Sequence, residues 1–246
     1  MCATCGCSDN DGARVIVPSH EHEHAAPDRT VLLEQRLLAR NDQLAQRNRR
    51  WFAEQGILAV NLMSSPGAGK TTVLERTIRA LSGKLAVSVV EGDQETTFDA
   101  ERIRATGSRV VQVNTGAGCH LDADMLARAL RALSPPSRSV VFVENVGNLV
   151  CPALFDLGEQ RRVVITSVTE GADKPLKYPH MFGSADVVLL NKIDLLPHLS
   201  FHVDTFVRCL GTVNPRARVI QLSATLGAGV GTWRSLVREW TANLPR

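Results

Sequence analysis

From Ile57 to Leu222 the chain alternates short apolar runs with stretches of helical spacing. The runs Ile57–Met63, Leu85–Val90, Arg109–Val113, Ser139–Val143, Arg162–Ser167, Val187–Leu190 and Val219–Leu222 predict strands. Helices are expected near 70–82, 97–106, 122–133, 203–210 and 231–242. The strands are apolar almost throughout, with little alternation, which is the pattern of a parallel sheet covered on both faces. The predicted fold class is therefore α/β, a mostly parallel sheet flanked by helices on both faces. Upstream, Leu33, Leu37, Leu44 and Trp51 form one helical stripe over about 30–54, interrupted by Asn41 and Asn48. Sustained heptads are lacking, so this helix is expected to pack on the main domain and not in a free coiled coil. Residues 1–29 are poor in apolar side chains and contain Pro18 and Pro27. They cannot bury enough surface to offset their ordering entropy. The expected organisation is a flexible tail over 1–29 and one domain over 30–246, with no internal repeat.

Composition changes this picture little. Hydrophobic residues make up 44% and charged residues 22% of 246 positions, enough for a substantial core. A net charge of +3 is too small to argue for a nucleic-acid partner. Arg36, Arg40, Arg47, Arg49 and Arg50 read as a solvated helix face. No apolar run approaches the roughly 20 residues that span a bilayer. The polar, Cys-rich start does not resemble a secretory signal, so the expected location is cytoplasmic. In a reducing compartment, six unevenly placed cysteines point to metal binding or reactive thiols before disulfides.

The sharpest local signal is Ser64-Ser65-Pro66-Gly67-Ala68-Gly69-Lys70-Thr71-Thr72, between a predicted strand and a predicted helix. That is the context of a phosphate loop, whose bare backbone N–H groups face an anion at a helix N-terminus. Ser65, Gly67, Ala68, Gly69 and Thr72 belong to this nucleotide-binding stretch. Lys70 can reach the β- and γ-phosphates, and the Thr71 hydroxyl suits Mg²⁺. Ser64 stands where the consensus has its first glycine. Asn191-Lys192-Ile193-Asp194 follows another apolar strand. A carboxylate at Asp194 can accept from the ring N–H and exocyclic amine of guanine, a donor pair that adenine lacks, so it argues for GTP. Ser223-Ala224 follows the next strand and joins this base site. Glu144-Asn145-Val146-Gly147 ends a further strand; Glu144 can hold Mg²⁺ through water and Gly147 can approach the γ-phosphate. Asp93 either orients the attacking water and the magnesium shell or caps the helix near Thr96. Lys70, Asp93 and Glu144 are thus the candidate catalytic residues, and Thr71, Asp93 and Glu144 the magnesium residues.

Two further groups offer soft donors. Cys2, Cys5 and Cys7 can wrap one ion, and a free chain-start amine as fourth donor would favour square-planar Ni²⁺ over tetrahedral Zn²⁺. His20, His22 and His24 read either as weak metal scavengers or as a solvated tract. Cys119-His120 and Cys151 follow two different predicted strands, and parallel strands deliver such loops to one sheet edge. These three are expected to converge as a metal site beside the nucleotide. Cys209 is expected in the core.

Together these strings resemble the HypB family, the SIMIBI-class nickel-incorporation GTPases of [NiFe]-hydrogenase maturation. Also similar are Glu91-Gly92-Asp93, Thr115 to Leu121, Glu144 to Pro152 and Val168 to Pro179; from the residues alone, 168–179 says only loop. The resemblance implies slow GTP hydrolysis to GDP and Mg²⁺ as cofactor. It also implies a nucleotide- or metal-dependent homodimer, a HypA-type nickel chaperone and a hydrogenase large-subunit precursor as partners. It places Ni²⁺ at Cys2, Cys5 and Cys7, and Ni²⁺ or Zn²⁺ at Cys119, His120 and Cys151. Alternatives are a urease- or cobalamin-type maturation GTPase, whose urease form typically carries a Cys-Pro-His string missing here, and a metal-storage or sensor protein with a vestigial nucleotide fold.

Overall fold

The computed structural model describes residues 29–93, 98–116 and 118–244, with side chains from residue 35 onward. Seven strands form one sheet in the order β3-β2-β4-β1-β5-β6-β7, with every pairing parallel. They are β1 (Leu58–Ser64), β2 (Val87–Asp93), β3 (Arg109–Asn114), β4 (Val140–Glu144), β5 (Arg161–Ser167), β6 (Val187–Asn191) and β7 (Arg218–Gln221). All seven predicted strands are present. β2 runs three residues past its predicted end, which carries Glu91, Gly92 and Asp93 into the sheet. The interior strands β1, β4 and β6 are buried at every position, as both-face coverage requires.

Helices α2 (Lys70–Leu81) and α9 (Val230–Ala242) cover one face, packing Leu74, Ile78, Trp233 and Val237 on Leu58, Val60 and Phe142. The opposite face carries two separate apolar clusters. One joins Phe52 of α1 (Arg29–Gln55) and Leu126 and Leu130 of α4 (Ala123–Leu133) to Ala59, Val141 and Val143. The other joins α7 (Pro179–Gly183) and α8 (Val203–Val213) to Met63, Val164 and Val188. Alternation along β1 turns Asn61 to this same face, between Ala59 and Met63. Asn61 and Asn145 are fully buried, and with Glu159 they form a hydrogen-bonded polar chain.

Three sequence expectations need correction. The predicted apolar stripe of α1 is not its buried face: Leu37 is 51% exposed, and the inward positions are Asn41, Ala45, Asn48 and Phe52. Beneath α1 lie backbone groups that need polar partners. Asn41 donates to the carbonyl of Asp156 (2.7 Å) and accepts from Ala123 N–H (2.9 Å). Asn48 donates to the carbonyls of Ala123 (2.8 Å) and Leu157 (2.9 Å). The two asparagines that interrupt the stripe are its anchors. Residues 168–179 are not all loop, since α6 (Lys174–Lys177) and the start of α7 fall there. Cys209, expected in the core, is only half-buried on α8. Two short elements were not anticipated either, α5 (Cys151–Leu154) and the 3₁₀ turn Ile193–His198.

Asn48→Ala should leave two buried carbonyls without their donor and cost on the order of 2 kcal/mol. Urea unfolding monitors this directly; a loss under about 0.5 kcal/mol would contradict the anchoring role.

Candidate functional site

The carboxyl ends of all seven strands face one edge, and a cleft of about 490 Å³ opens there. It is lined by the loop Ser64–Thr72, the end of β2, Gly147, Lys192, and Asp99 and Arg102 of α3 (Phe98–Arg104). Gly69 sits at φ 93°, where side chains are strained, and a Cβ there would meet Asn191 Nδ2 at 2.6 Å. That close approach has a purpose in the geometry. Asn191 Nδ2 donates to the Ala68 carbonyl (3.0 Å), and its Oδ1 accepts from Ala224 N–H (3.1 Å). Lys192 Nζ donates to the Gly67 carbonyl (2.7 Å). One residue pair thereby ties the phosphate loop to the Ser223-Ala224 turn.

Behind the loop, Glu144 is almost fully buried at the end of β4. Its Oε1 accepts from Thr71 Oγ1 (2.6 Å) and Lys70 Nζ (3.1 Å), while Oε2 has no hydrogen-bond partner among the described residues. A hydroxyl and a carboxylate with an unused buried oxygen form a hard donor set that fits Mg²⁺. Asp194 likewise keeps a buried Oδ1 without a partner among the described residues. Such an orphaned acceptor is costly unless a ligand supplies donors. Thr72 accepts from Arg102 (3.1 Å), and Ser223 Oγ accepts from Leu226 N–H (3.1 Å). Ser64 is buried and donates to the Ser65 carbonyl (2.8 Å), so the variant first position closes the turn internally.

Beside this cleft the three internal soft donors do converge. Cys119 Sγ lies 2.8 Å from Cys151 Sγ and 3.6 Å from His120 Nδ1, and one donor atom from each residue falls within 4.8 Å of the others. Both thiols are buried; His120 is half-buried and stacks on Phe155 at 3.8 Å between centroids. Burial lowers the His120 pKa, opposed by the nearby charge of Asp122. That favours the neutral imidazole a metal requires. Two thiols and an imidazole suit a borderline cation such as Ni²⁺ or Zn²⁺.

Residues 58–221 match the family model of the CobW/HypB/UreG nucleotide-binding domain. The hydrogenase maturation factor HypB of Rhizobium leguminosarum bv. viciae is 54% identical over 218 residues, covering 89% of this chain and 71% of that protein. The chain belongs to the HypB family. Crystal structures agree: HypB of Archaeoglobus fulgidus superposes with a TM-score of 0.77 at 38% identity, over 82% of this chain and 99% of that one. HypB of Helicobacter pylori in complex with nickel gives 0.77 at 36% identity, over 84% and 98%. The fold expected from sequence, a P-loop GTPase fold, is thereby shown.

Within this HypB-family chain, Cys2, Cys5, Cys7 and His20, His22 and His24 lie outside the described residues, as does the helix entry near Thr96. Asp93 ends β2 at the cleft wall. Sequence reasoning gave no role to two residues that the structure brings to the cleft region. Glu170 accepts from Ser65 Oγ (2.8 Å) and Ser167 N–H (3.2 Å) and pairs with Lys174, so the stretch read as a loop braces the phosphate loop. Glu91 is buried opposite Glu144 in the β2–β4 register, and its Oε2 has no partner among the described residues. The available signals were an acidic residue directly after the apolar run Leu85–Val90 and its place in the string Glu91-Gly92-Asp93.

Burial, then the charges of Glu144 and Asp93, push Glu91 up to about 8 from 4.5. Between those values the folded chain holds a proton there that the unfolded chain releases. The resulting stability is full below 4.5 and lost as pH rises through about 8. In protein free of nucleotide and divalent ions, urea midpoints should fall from pH 5 to 8, and Glu91→Gln should flatten that slope. An equally steep decline in the variant would contradict the assignment.

Proposed function

We propose that this protein is a GTP-hydrolysing metallochaperone that binds nickel and delivers it during [NiFe]-hydrogenase maturation. The observation that carries this reading is the continuity of one segment. Glu144, in contact with Lys70 and Thr71, and Cys151, in contact with Cys119, lie seven positions apart on the same loop (144 to 151). A change at the γ-phosphate can therefore displace a thiol ligand with little intervening structure. Membership of the HypB family supports nucleotide binding, and the nickel complex of the Helicobacter pylori relative supports nickel as the cargo.

Each residue takes a defined part in this reading. The backbone N–H groups of Ser65 and of Gly67 to Thr72 receive the phosphates, and Lys70 neutralises charge between the β- and γ-positions. Thr71 and Glu144 hold Mg²⁺, which supplies charge stabilisation when bound, and Asp93 orients water or the magnesium shell. Gly147 approaches the γ-phosphate. Asn191 and Lys192 pack the phosphate loop against the base pocket, where Asp194 accepts from guanine beside Ser223 and Ala224. Cys119, His120 and Cys151 hold Ni²⁺ or Zn²⁺. Cys2, Cys5 and Cys7, on the tail 1–29 that precedes the 30–246 domain, form a second, tighter nickel site. The working protein is a cytoplasmic, nucleotide- or metal-dependent homodimer that meets a HypA-type chaperone and a hydrogenase large-subunit precursor.

The test is GTP turnover with nickel binding measured on the same chain. Wild type should release phosphate slowly, and Lys70→Ala should lower the rate roughly 100-fold or more. Asp194→Asn should weaken GDP binding roughly 100-fold. Turnover absent from wild type would support metal storage on a vestigial nucleotide fold instead.

A further inference from the structure

We infer that Asn145 is the positioning residue through which the nucleotide loop and the thiol loop move as one. This rests on the proposed nucleotide-gated metal site and names the part of the structure that would do the gating. Asn145 follows Glu144 directly and is fully buried. Its side-chain Oδ1 accepts two backbone N–H groups at once. One belongs to Leu121 (3.2 Å), the residue after the Cys119-His120 pair. The other belongs to Val146 (3.0 Å), the residue before Gly147 at the cleft wall.

A single oxygen therefore holds both loops. If Val146 moves with Gly147, Oδ1 must follow or release its N–H into a dry interior, and following it drags Leu121. The amide cannot simply swivel, because Nδ2 donates to Asn61 Oδ1 (3.3 Å) and Asn61 in turn donates to Glu159 (3.3 Å). Glu159 is itself fixed by Arg162 (2.7 Å) and Leu157 N–H (2.8 Å). A second contact runs parallel to the first. The Leu121 side chain fills the space beside Gly92 so closely that a Cβ there would meet it at 2.8 Å. The residue after the metal pair thus touches the acidic end of β2 as well as the amide after Glu144. The cleft wall and the thiol loop are thus joined by packing and by a shared acceptor.

The experiment uses the full chain with Cys2, Cys5 and Cys7 replaced by serine, so that the thiolate signal of added Ni²⁺ reports the internal site. Nickel affinity is read from thiolate-to-nickel absorption with no nucleotide, with GDP and with a non-hydrolysable GTP analogue. In this background the affinities should differ by about fivefold or more between nucleotide states. Asn145→Ala, which removes the shared oxygen, should bring the ratio to within about twofold of one. Asn145→Asp, which keeps an acceptor of the same shape, should restore most of it. A merely structural role would lower all affinities together and leave their ratio intact, and that result would overturn the inference. If Asn145→Ala does not fold, hydrogen exchange in the background chain decides. The Leu121 and Val146 amides should change protection together on adding the analogue, and independent changes would overturn the inference. No nucleotide dependence in the background chain would refute the gating proposal itself, whereas a ratio that persists in Asn145→Ala would refute only the role of Asn145.

Discussion

The buried carboxylate of Glu144, gripped by Thr71 and Lys70, is the interaction on which the cleft depends. A carboxyl group buried at the end of an interior strand is expensive unless it is paired and hydrogen-bonded. Here the lysine and hydroxyl of the phosphate loop provide that pairing, in the places that a phosphate and Mg²⁺ would claim. Glu91 lies opposite in the register and is held up to about 8 mainly by burial, with the Glu144 charge next. The floor of the cleft thus sets two buried carboxyl groups against the loop's own cation, and on the proposed function that arrangement would change when Lys70 turned to a phosphate.

The sheet makes this local event communicable. Seven parallel strands place every following loop on one edge, so the loop after β3 brings Cys119 and His120 to the loop after β4 with its Cys151. The helix before the sheet is fixed to the same region. Asn41 and Asn48 hold the backbone at Ala123, three residues after His120, and at Asp156 and Leu157, just after the Phe155 ring that stacks on that histidine. Arg49 adds an ion pair with Asp156 at 2.7 Å. The arm that leads to the N-terminal cysteines is therefore docked on both segments that carry the internal thiols.

Much of this was legible in the sequence because its signals are local. Strand ends, the loop Ser64–Thr72, Asn191 to Asp194 and the Cys119-His120 pair each announce themselves within a few residues. What the sequence hid depends on partners far along the chain. Asn41 looked like a break in an apolar stripe because its partner Asp156 lies 115 positions away. Glu170 looked like loop because Ser65, which it braces, is 105 positions away. Asn145 was visible only as one letter in a family string, since nothing local says that its oxygen would serve Leu121 and Val146 together. Cys209 reads as core from its residue type and helical stretch, but its position on that helix is half-exposed because the face it occupies is set by packing from distant segments.

On the proposed function, the nucleotide state changes the coordination offered by Cys119, His120 and Cys151. X-ray absorption at the nickel edge reads that coordination most directly, on the full chain with Cys2, Cys5 and Cys7 replaced by serine. The sulfur count or nickel–sulfur distance should differ between the GDP form and a non-hydrolysable GTP-analogue form. Superimposable spectra from the two forms would contradict it.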